Sequence, residues 1–173
     1  LHDALPIFDQ HGETHSYDKL ILATGSRPMI TLKVPRDMQG LFGLRTRKDA
    51  DNIREYLKDG GRALIIGGGL LGLELAGSLA SIGVDVSIIQ RSSRLMRAQL
   101  DELGSQLLHE EIEDRGINVI YNDEVSSFDG DDKLKSVTLK SGRVLKMDAL
   151  FFAAGIKPNT ELGEKCDLEF NRG

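Results

Sequence analysis

Ala63-Leu64-Ile65-Ile66-Gly67-Gly68-Gly69-Leu70-Leu71-Gly72 joins a continuous apolar run to a G-x-G-x-x-G turn, and the residues after it continue as a small-residue helix. A buried strand, a glycine turn and a helix in that order form the context in which the motif carries meaning. Gly67 permits the tight strand-to-helix turn, Gly69 lets backbone N–H groups approach a pyrophosphate, and Gly72 brings the helix close to the sheet. Gly68, Leu70 and Leu71 complete the turn. An anion seated there meets the free N–H groups and the positive end of the helix dipole. Gly77, later in the same helix, is expected to extend the close packing.

Outward from this turn, short apolar runs alternate with helical periods. Strands are predicted at 84–89, 117–121 and 150–153. Helices are predicted at 46–59, with Gly60-Gly61 as the stop, and at 100–115, with Leu103, Leu107, Leu108 and Ile112 on one face. Residues 125–128, 134–140 and 143–147, separated by Asp129-Gly130-Asp131 and Ser141-Gly142, predict an antiparallel meander. Near the start, residues 7–9 and 17–23 read as two strands around a polar turn, and a proline-punctuated linker runs to residue 44. The fold class is α/β: a Rossmann-like parallel sheet of four strands with an antiparallel meander on one side. Ligand is expected at the carboxyl ends of the strands, near Gly67 and Gln90. Residues 1–7 fit the pattern poorly and are expected to be partly foreign to the native chain, and residues 167–173 stop without completing an element, as a fragment would.

Composition narrows the function classes. Within 173 residues there are 22 Lys and Arg against 27 Asp and Glu, a net charge of -5, with no basic run, which argues against a nucleic-acid or anionic-membrane partner. A single cysteine excludes a disulfide scaffold or a multi-cysteine metal site within this stretch. The longest apolar-rich stretch is interrupted by glycines and by Glu74, so no membrane span is expected, and without a signal segment the expected setting is cytoplasmic. His2, His11, His15 and His109 show no metal-ligand spacing, and Asp129, Asp131 and Asp132 read as a solvated hairpin tip. Cys166 reads as structural, with a free surface thiol as the alternative.

An NAD-binding unit ends its second strand, about 20 residues after the turn, in an acidic residue that holds the adenosine ribose. Here the strand ends in Gln90, and Arg91 and Arg94 follow with Ser92 and Ser93 between them. The carboxylate that would repel a 2'-phosphate is missing, so NADPH is allowed. Two readings stand: the arginines hold that phosphate, or they are solvated charges and Gln90 bonds a plain ribose.

Three segments together resemble the FAD-dependent pyridine nucleotide-disulphide oxidoreductases: Tyr17-Asp18-Lys19-Leu20-Ile21-Leu22-Ala23-Thr24-Gly25-Ser26-Arg27-Pro28, residues 64–90, and Phe151-Phe152-Ala153-Ala154-Gly155-Ile156-Lys157-Pro158-Asn159-Thr160. Within that family, Leu95-Met96-Arg97-Ala98-Gln99-Leu100-Asp101 resembles the large subunit of assimilatory NAD(P)H nitrite reductases. Rubredoxin and ferredoxin reductases and NADH oxidases share the other motifs.

The resemblance implies residues 1–44 as a partial FAD-binding segment and linker, 45–153 as the NAD(P)H-binding domain, and 154–173 as a truncated return to the FAD domain. It implies FAD and NAD(P)H as cofactors and hydride transfer from one to the other. Electrons then pass to a siroheme and iron–sulfur domain or to a small electron carrier. Gly67, Gly69 and Gly72 would hold the coenzyme pyrophosphate, and Glu74 is the candidate catalytic residue at the nicotinamide end, with an exposed helical carboxylate as the plain alternative. Ala154 and Gly155 would line the junction of nicotinamide and flavin, while Thr24, Gly25 and Arg27 would lie beside FAD. A second reading, from another class, is a sensor module that binds NAD(P)H without turnover.

Overall fold

The computed structural model describes residues 7–30, 32–34 and 38–169, so most of the segment expected to be foreign, and the last four residues, lie outside the described residues. The chain divides into two compact units, Leu1–Ser26 with Pro158–Gly173, and Arg27–Lys157. In chain order the elements are β1 (Ile7–Phe8), β2 (Thr14–His15), β3 (Ser26–Pro28), β4 (Leu41–Gly43), α1 (Arg47–Tyr56), β5 (Arg62–Ile66), α2 (Leu70–Ser81) and β6 (Asp85–Gln90). They continue with α3 (Glu102–Asp114), β7 (Asn118–Tyr121), β8 (Val125–Asp129), β9 (Ser136–Leu139), β10 (Val144–Lys146), β11 (Ala149–Phe152), β12 (Ile156–Pro158) and α4 (Glu161–Lys165).

In the larger unit a five-stranded parallel sheet runs in the order β4-β11-β5-β6-β7, and β10-β9-β8 form an antiparallel sheet. Successive side chains of a strand point to opposite faces, and the core follows that period. Ala63, Ile65, Val86, Ile88, Ala149 and Phe151 pack with Leu75, Ala76 and Leu79 of α2, Ile53 of α1 and Ile112 of α3. Their neighbours Leu64, Ile89, Leu150 and Phe152 pack on the other face against Val125, Val137, Leu139 and Met147 of the meander. The parallel strands are therefore buried on both faces, which is why they read as unbroken apolar runs.

Local chemistry sets the helix bounds. Thr46 caps α1: its hydroxyl accepts from Asp49 N–H at 3.2 Å while the Asp49 carboxylate accepts from Thr46 N–H at 2.7 Å. Asp101 caps α3 by accepting from Gly104 N–H at 2.8 Å. No helix of the described residues is long and apolar enough to cross a membrane.

Several expectations need correction. Residues 17–23 form no strand; β1 pairs instead with Thr14–His15, and Ile21 is 87% exposed. An apolar run becomes a strand only where a neighbour takes its backbone hydrogen bonds, and among the described residues none does so here. The supposed linker contains β4, which is only three residues long and is defined by its parallel register with β11, Phe42 opposite Phe151. β3 and β12 form a further two-stranded sheet. On α3 the buried stripe is Ser105, Leu108 and Ile112, whereas Leu103 and Leu107 are exposed. A Cβ at Gly77 would meet nothing within 4 Å, so this glycine answers to no close packing among the described residues. Cys166 is an exposed free thiol, the alternative rather than the structural reading.

Candidate functional site

The carboxyl ends of β5, β6 and β11 open into a cavity of about 720 Å³ within the larger unit. At its floor Gly67 has φ +112°, and its N–H donates to Ile89 O at 2.9 Å. A Cβ on Gly67 would stand 2.9 Å from Ala153 O, and one on Gly72 would overlap Gly67 O, so both glycines serve the close approach of turn, helix and strand. Gly69 differs: it is the N-cap of α2, makes no side-chain cap, and has open space where a Cβ would be. With Leu70 and Leu71 it lines the cavity, so the uncapped first turn of a 12-residue helix faces the space where an anion would sit.

Gly68 turns the other way. Its N–H donates to Gln90 Oε1 at 2.8 Å and its carbonyl accepts from Met96 N–H at 3.1 Å, leaving neither for a ligand. Gln90 Nε2 donates to Ser92 Oγ at 2.6 Å, and the Ser92 hydroxyl donates to Arg94 O at 2.9 Å. The amide of Gln90 is thus engaged at both ends by protein groups.

Gln90, Arg91, Ala154 and Gly155 join Gly67 and Gly69 in the cavity wall. Gly155 has φ +127°, and a Cβ there would come within 3.1 Å of Met29 Cε, so the wall stays free of side chains at this point. Arg94 does not line the cavity; its guanidinium lies 3.9 Å from Glu102 Oε1. Glu74 is exposed, so the need for a buried partner does not arise; it follows Leu70 by four residues and Leu71 by three, which places it on their helix face. Thr24 and Gly25 belong to the smaller unit, where the Thr24 hydroxyl donates to Asn159 O at 2.6 Å and Asn159 N–H donates to Gly25 O at 3.0 Å. Arg27 is exposed on β3.

Three charged lining residues escaped the sequence reading: Arg45, Asp123 and Glu124. Arg45 follows β4 as Gly67 follows β5, so recognising that short strand would have put the loop at the same carboxyl edge. The Asp123 carboxyl is held below its ordinary value, chiefly by the Ser141 hydroxyl and also by backbone N–H donors. In the smaller unit Asp9, Glu13 and His15 bring ligand-type atoms within 4.8 Å of one another on the β1–β2 hairpin, a grouping that the spacing of the histidines alone did not suggest.

The chain is 39% identical over 172 residues to the assimilatory nitrate reductase electron transfer subunit of Bacillus subtilis (strain 168), covering 99% of this chain and 22% of that one. It is 40% identical over 158 residues to the nitrite reductase [NAD(P)H] of the same organism, covering 91% and 20%. The chain therefore spans about a fifth of the length of these curated relatives. Among solved structures, a ferredoxin reductase from Rhodopseudomonas palustris matches with a TM-score of 0.89 at 26% identity, over 97% of this chain and 42% of that one. An engineered water-forming NADPH oxidase bound to NADPH matches with a TM-score of 0.79 at 28% identity, over 89% of this chain and 34% of that one. It derives from the Lactobacillus brevis NADH oxidase and carries an Asp to Ala change, then Ala to Arg and Met to Ser at the next two positions, and Pro to Arg five positions further on. FAD and NAD(P)H are the cofactors that this set of relatives implies. The profile of the pyridine nucleotide-disulphide oxidoreductases matches residues 4–173, and the chain belongs to that family.

Proposed function

We propose that this chain holds NAD(P)H along the β5–α2 turn of a flavoprotein oxidoreductase whose electrons go on to reduce nitrite. The observation that carries the reading is the uncapped N-terminus of α2 beside Gly69, opening into the same cavity as the side-chain-free wall at Ala154 and Gly155. The N–H groups of Gly69, Leu70 and Leu71 take the pyrophosphate oxygens, and the helix dipole adds to their pull. Ala154 and Gly155 let the flat nicotinamide come close to a flavin ring. FAD, when bound, would supply the hydride acceptor for the nicotinamide; the protein contributes position and exclusion of water. Glu74, on the helix face of Leu70 and Leu71, orients the nicotinamide end of the coenzyme. Thr24, Gly25 and Arg27 are assigned to FAD.

The choice of nitrite rests on the name of one of the two Bacillus relatives, the nitrite reductase [NAD(P)H], the other being named for nitrate reduction, and the downstream centre is a siroheme and iron–sulfur domain or a small carrier in contact with one. NADPH is favoured as donor by the spacing Arg91, Ser92, Arg97, which repeats the arginine, serine and arginine of the NADPH-bound oxidase. Gln90 immediately precedes Arg91, as that enzyme's replaced aspartate immediately precedes its introduced arginine.

Stopped-flow mixing of the FAD-loaded protein with NADPH tests the assignment. Bleaching of the oxidised flavin, followed by nitrite-dependent reoxidation, is the expected course. A flavin that stays oxidised would leave a nucleotide sensor, and reoxidation by rubredoxin or oxygen but not nitrite would replace the acceptor.

A further inference from the structure

Asp123 and Glu124 put carboxylates into the wall of a cavity assigned to a polyanionic coenzyme. We infer that the Glu124 carboxylate selects the adenine base of that coenzyme by accepting from its 6-amino group, and that Asp123 is the residue that positions Glu124. This inference rests on the coenzyme placement proposed above and names the base that the site prefers.

Sheet order sorts the cavity wall into stations. The strands β4, β11, β5, β6 and β7 lie side by side and parallel, so their carboxyl ends share one edge. Along that edge Gly155 follows β11, Gly69 follows β5, Gln90 ends β6 and Glu124 follows β7. With the pyrophosphate at Gly69 and the nicotinamide toward Gly155, the other half of the coenzyme runs past Gln90 toward Glu124. Neighbouring strands are about 4.8 Å apart, so the end of β7 stands about 10 Å from the turn after β5, the span of a nucleoside. That separation exceeds the Debye length of about 8 Å at physiological salt, so repulsion between the carboxylates and the pyrophosphate is largely screened. The group they meet at close range is the base.

The two acids do different work. Asp123 Oδ1 accepts from Glu124 N–H at 2.9 Å and from Ser141 N–H at 3.2 Å, and Lys140 N–H donates to Glu124 O at 2.8 Å. Asp123 is thereby spent on tying the loop after β7 to the turn between β9 and β10. The Glu124 carboxylate meets Lys140 Nζ through Oε2 at 2.9 Å, and among the described residues no donor reaches Oε1. Val125, buried beside it and lining the same cavity, offers apolar surface to a flat ring.

An ionised carboxylate only accepts hydrogen bonds. Adenine presents an amino donor at its 6-position, and a bond from it to a carboxylate is charge-assisted. Hypoxanthine presents a carbonyl oxygen at the same place, which a carboxylate repels.

The test is stopped-flow flavin reduction in the FAD-loaded protein over a range of NADPH and of its hypoxanthine analogue, which reads Kd for each coenzyme. NADPH is expected to bind at least about tenfold more tightly, as one charge-assisted bond warrants. Glu124→Gln, whose amide both donates and accepts, should weaken NADPH about tenfold and tighten the analogue, so that the selectivity disappears. Asp123→Ala should lower the selectivity by a smaller factor. Equal affinity for the two coenzymes in the unaltered protein overturns the inference. So does a Glu124→Gln variant that weakens both alike, which would assign the residue to the ribose or to the loop. Unchanged selectivity in Asp123→Ala overturns its positioning role. If neither coenzyme reduces the flavin, the coenzyme placement itself falls, and this inference with it.

Discussion

The side-chain oxygen of Gln90 accepts the N–H of Gly68 at 2.8 Å, so the last residue of β6 braces the glycine turn that follows β5. The two strands are parallel neighbours in register, Ile66 opposite Ile89, which brings their carboxyl ends side by side. One face of the turn is thereby fixed to the protein and the other is left to a ligand. The middle and third-position glycines of the motif divide that labour.

Gly68→Ala tests the inward face. The added methyl overlaps Leu95 Cδ2 and stands 3.3 Å from Gln90 Oε1, with Leu95 fully buried and unable to retreat into solvent. Overpacking of this kind costs about 1–3 kcal/mol. Urea unfolding should show that loss, and Leu95→Ala in the same chain should cancel part of the clash, giving a non-additive double-mutant cycle.

Gly69→Val tests the outward face. Gly69 has φ -92° and ψ -177°, an extended conformation open to any residue, and no atom lies within 4 Å of the Cβ position. The fold should tolerate the change, while the branched side chain stands over the first N–H groups of α2. Coenzyme binding should vanish with the circular dichroism spectrum unchanged; a variant that still binds NADPH normally would move the pyrophosphate elsewhere.

Helix α3 separates periodicity from burial. Leu103, Leu107, Leu108 and Ile112 recur at helical spacing, yet only Leu108 and Ile112 of these reach the core, and Ser105 takes the third buried place by donating its hydroxyl to Leu95 O at 2.9 Å. Ile112→Ala should lower unfolding free energy by about 2–4 kcal/mol through the cavity it leaves. Leu107→Ala, at 58% exposure, should stay within about 0.5 kcal/mol. Equal losses in chemical denaturation would return Leu107 to the core.

The same contrast marks what a sequence can carry. Strands β5, β6 and β11 are buried on both faces and announce themselves as apolar-rich runs, and β5 leads straight into glycine, so the parallel sheet and the position of the turn were legible. β4 was not, because three residues hold too little pattern and its identity lies in its pairing with β11. Residues 17–23 carried the opposite signal, strand-like composition without a partner strand among the described residues. At the site, Arg91 and Arg94 look equivalent in sequence, and only the structure separates them: Arg91 lines the main cavity, while the Arg94 guanidinium lies 3.9 Å from Glu102 Oε1.

A pH-dependent prediction concerns the opposite end of the sheet, where Asp148 meets Arg62. Arg62 donates to both oxygens, Nε to Oδ2 at 3.0 Å and Nη2 to Oδ1 at 3.1 Å, and its N–H adds a third bond to Oδ2 at 2.8 Å. These donors, the guanidinium first, hold the Asp148 carboxyl below its ordinary value of 3.8. A depressed folded-state pKa means that the unfolded chain takes up the proton first as pH falls. The pair's contribution is therefore complete above the unfolded pKa and disappears as pH drops through the lower folded value. Both side chains are 43% exposed, so solvent screens the pair and the effect is modest. Asp148→Asn should lower Tm by a few degrees near neutral pH, and the gap to the unaltered protein should narrow as the pH falls below the ordinary carboxyl value of 3.8. Differential scanning calorimetry across that range checks the sign: a gap that widens on acidification would show that Asp148 is not stabilised as the carboxylate.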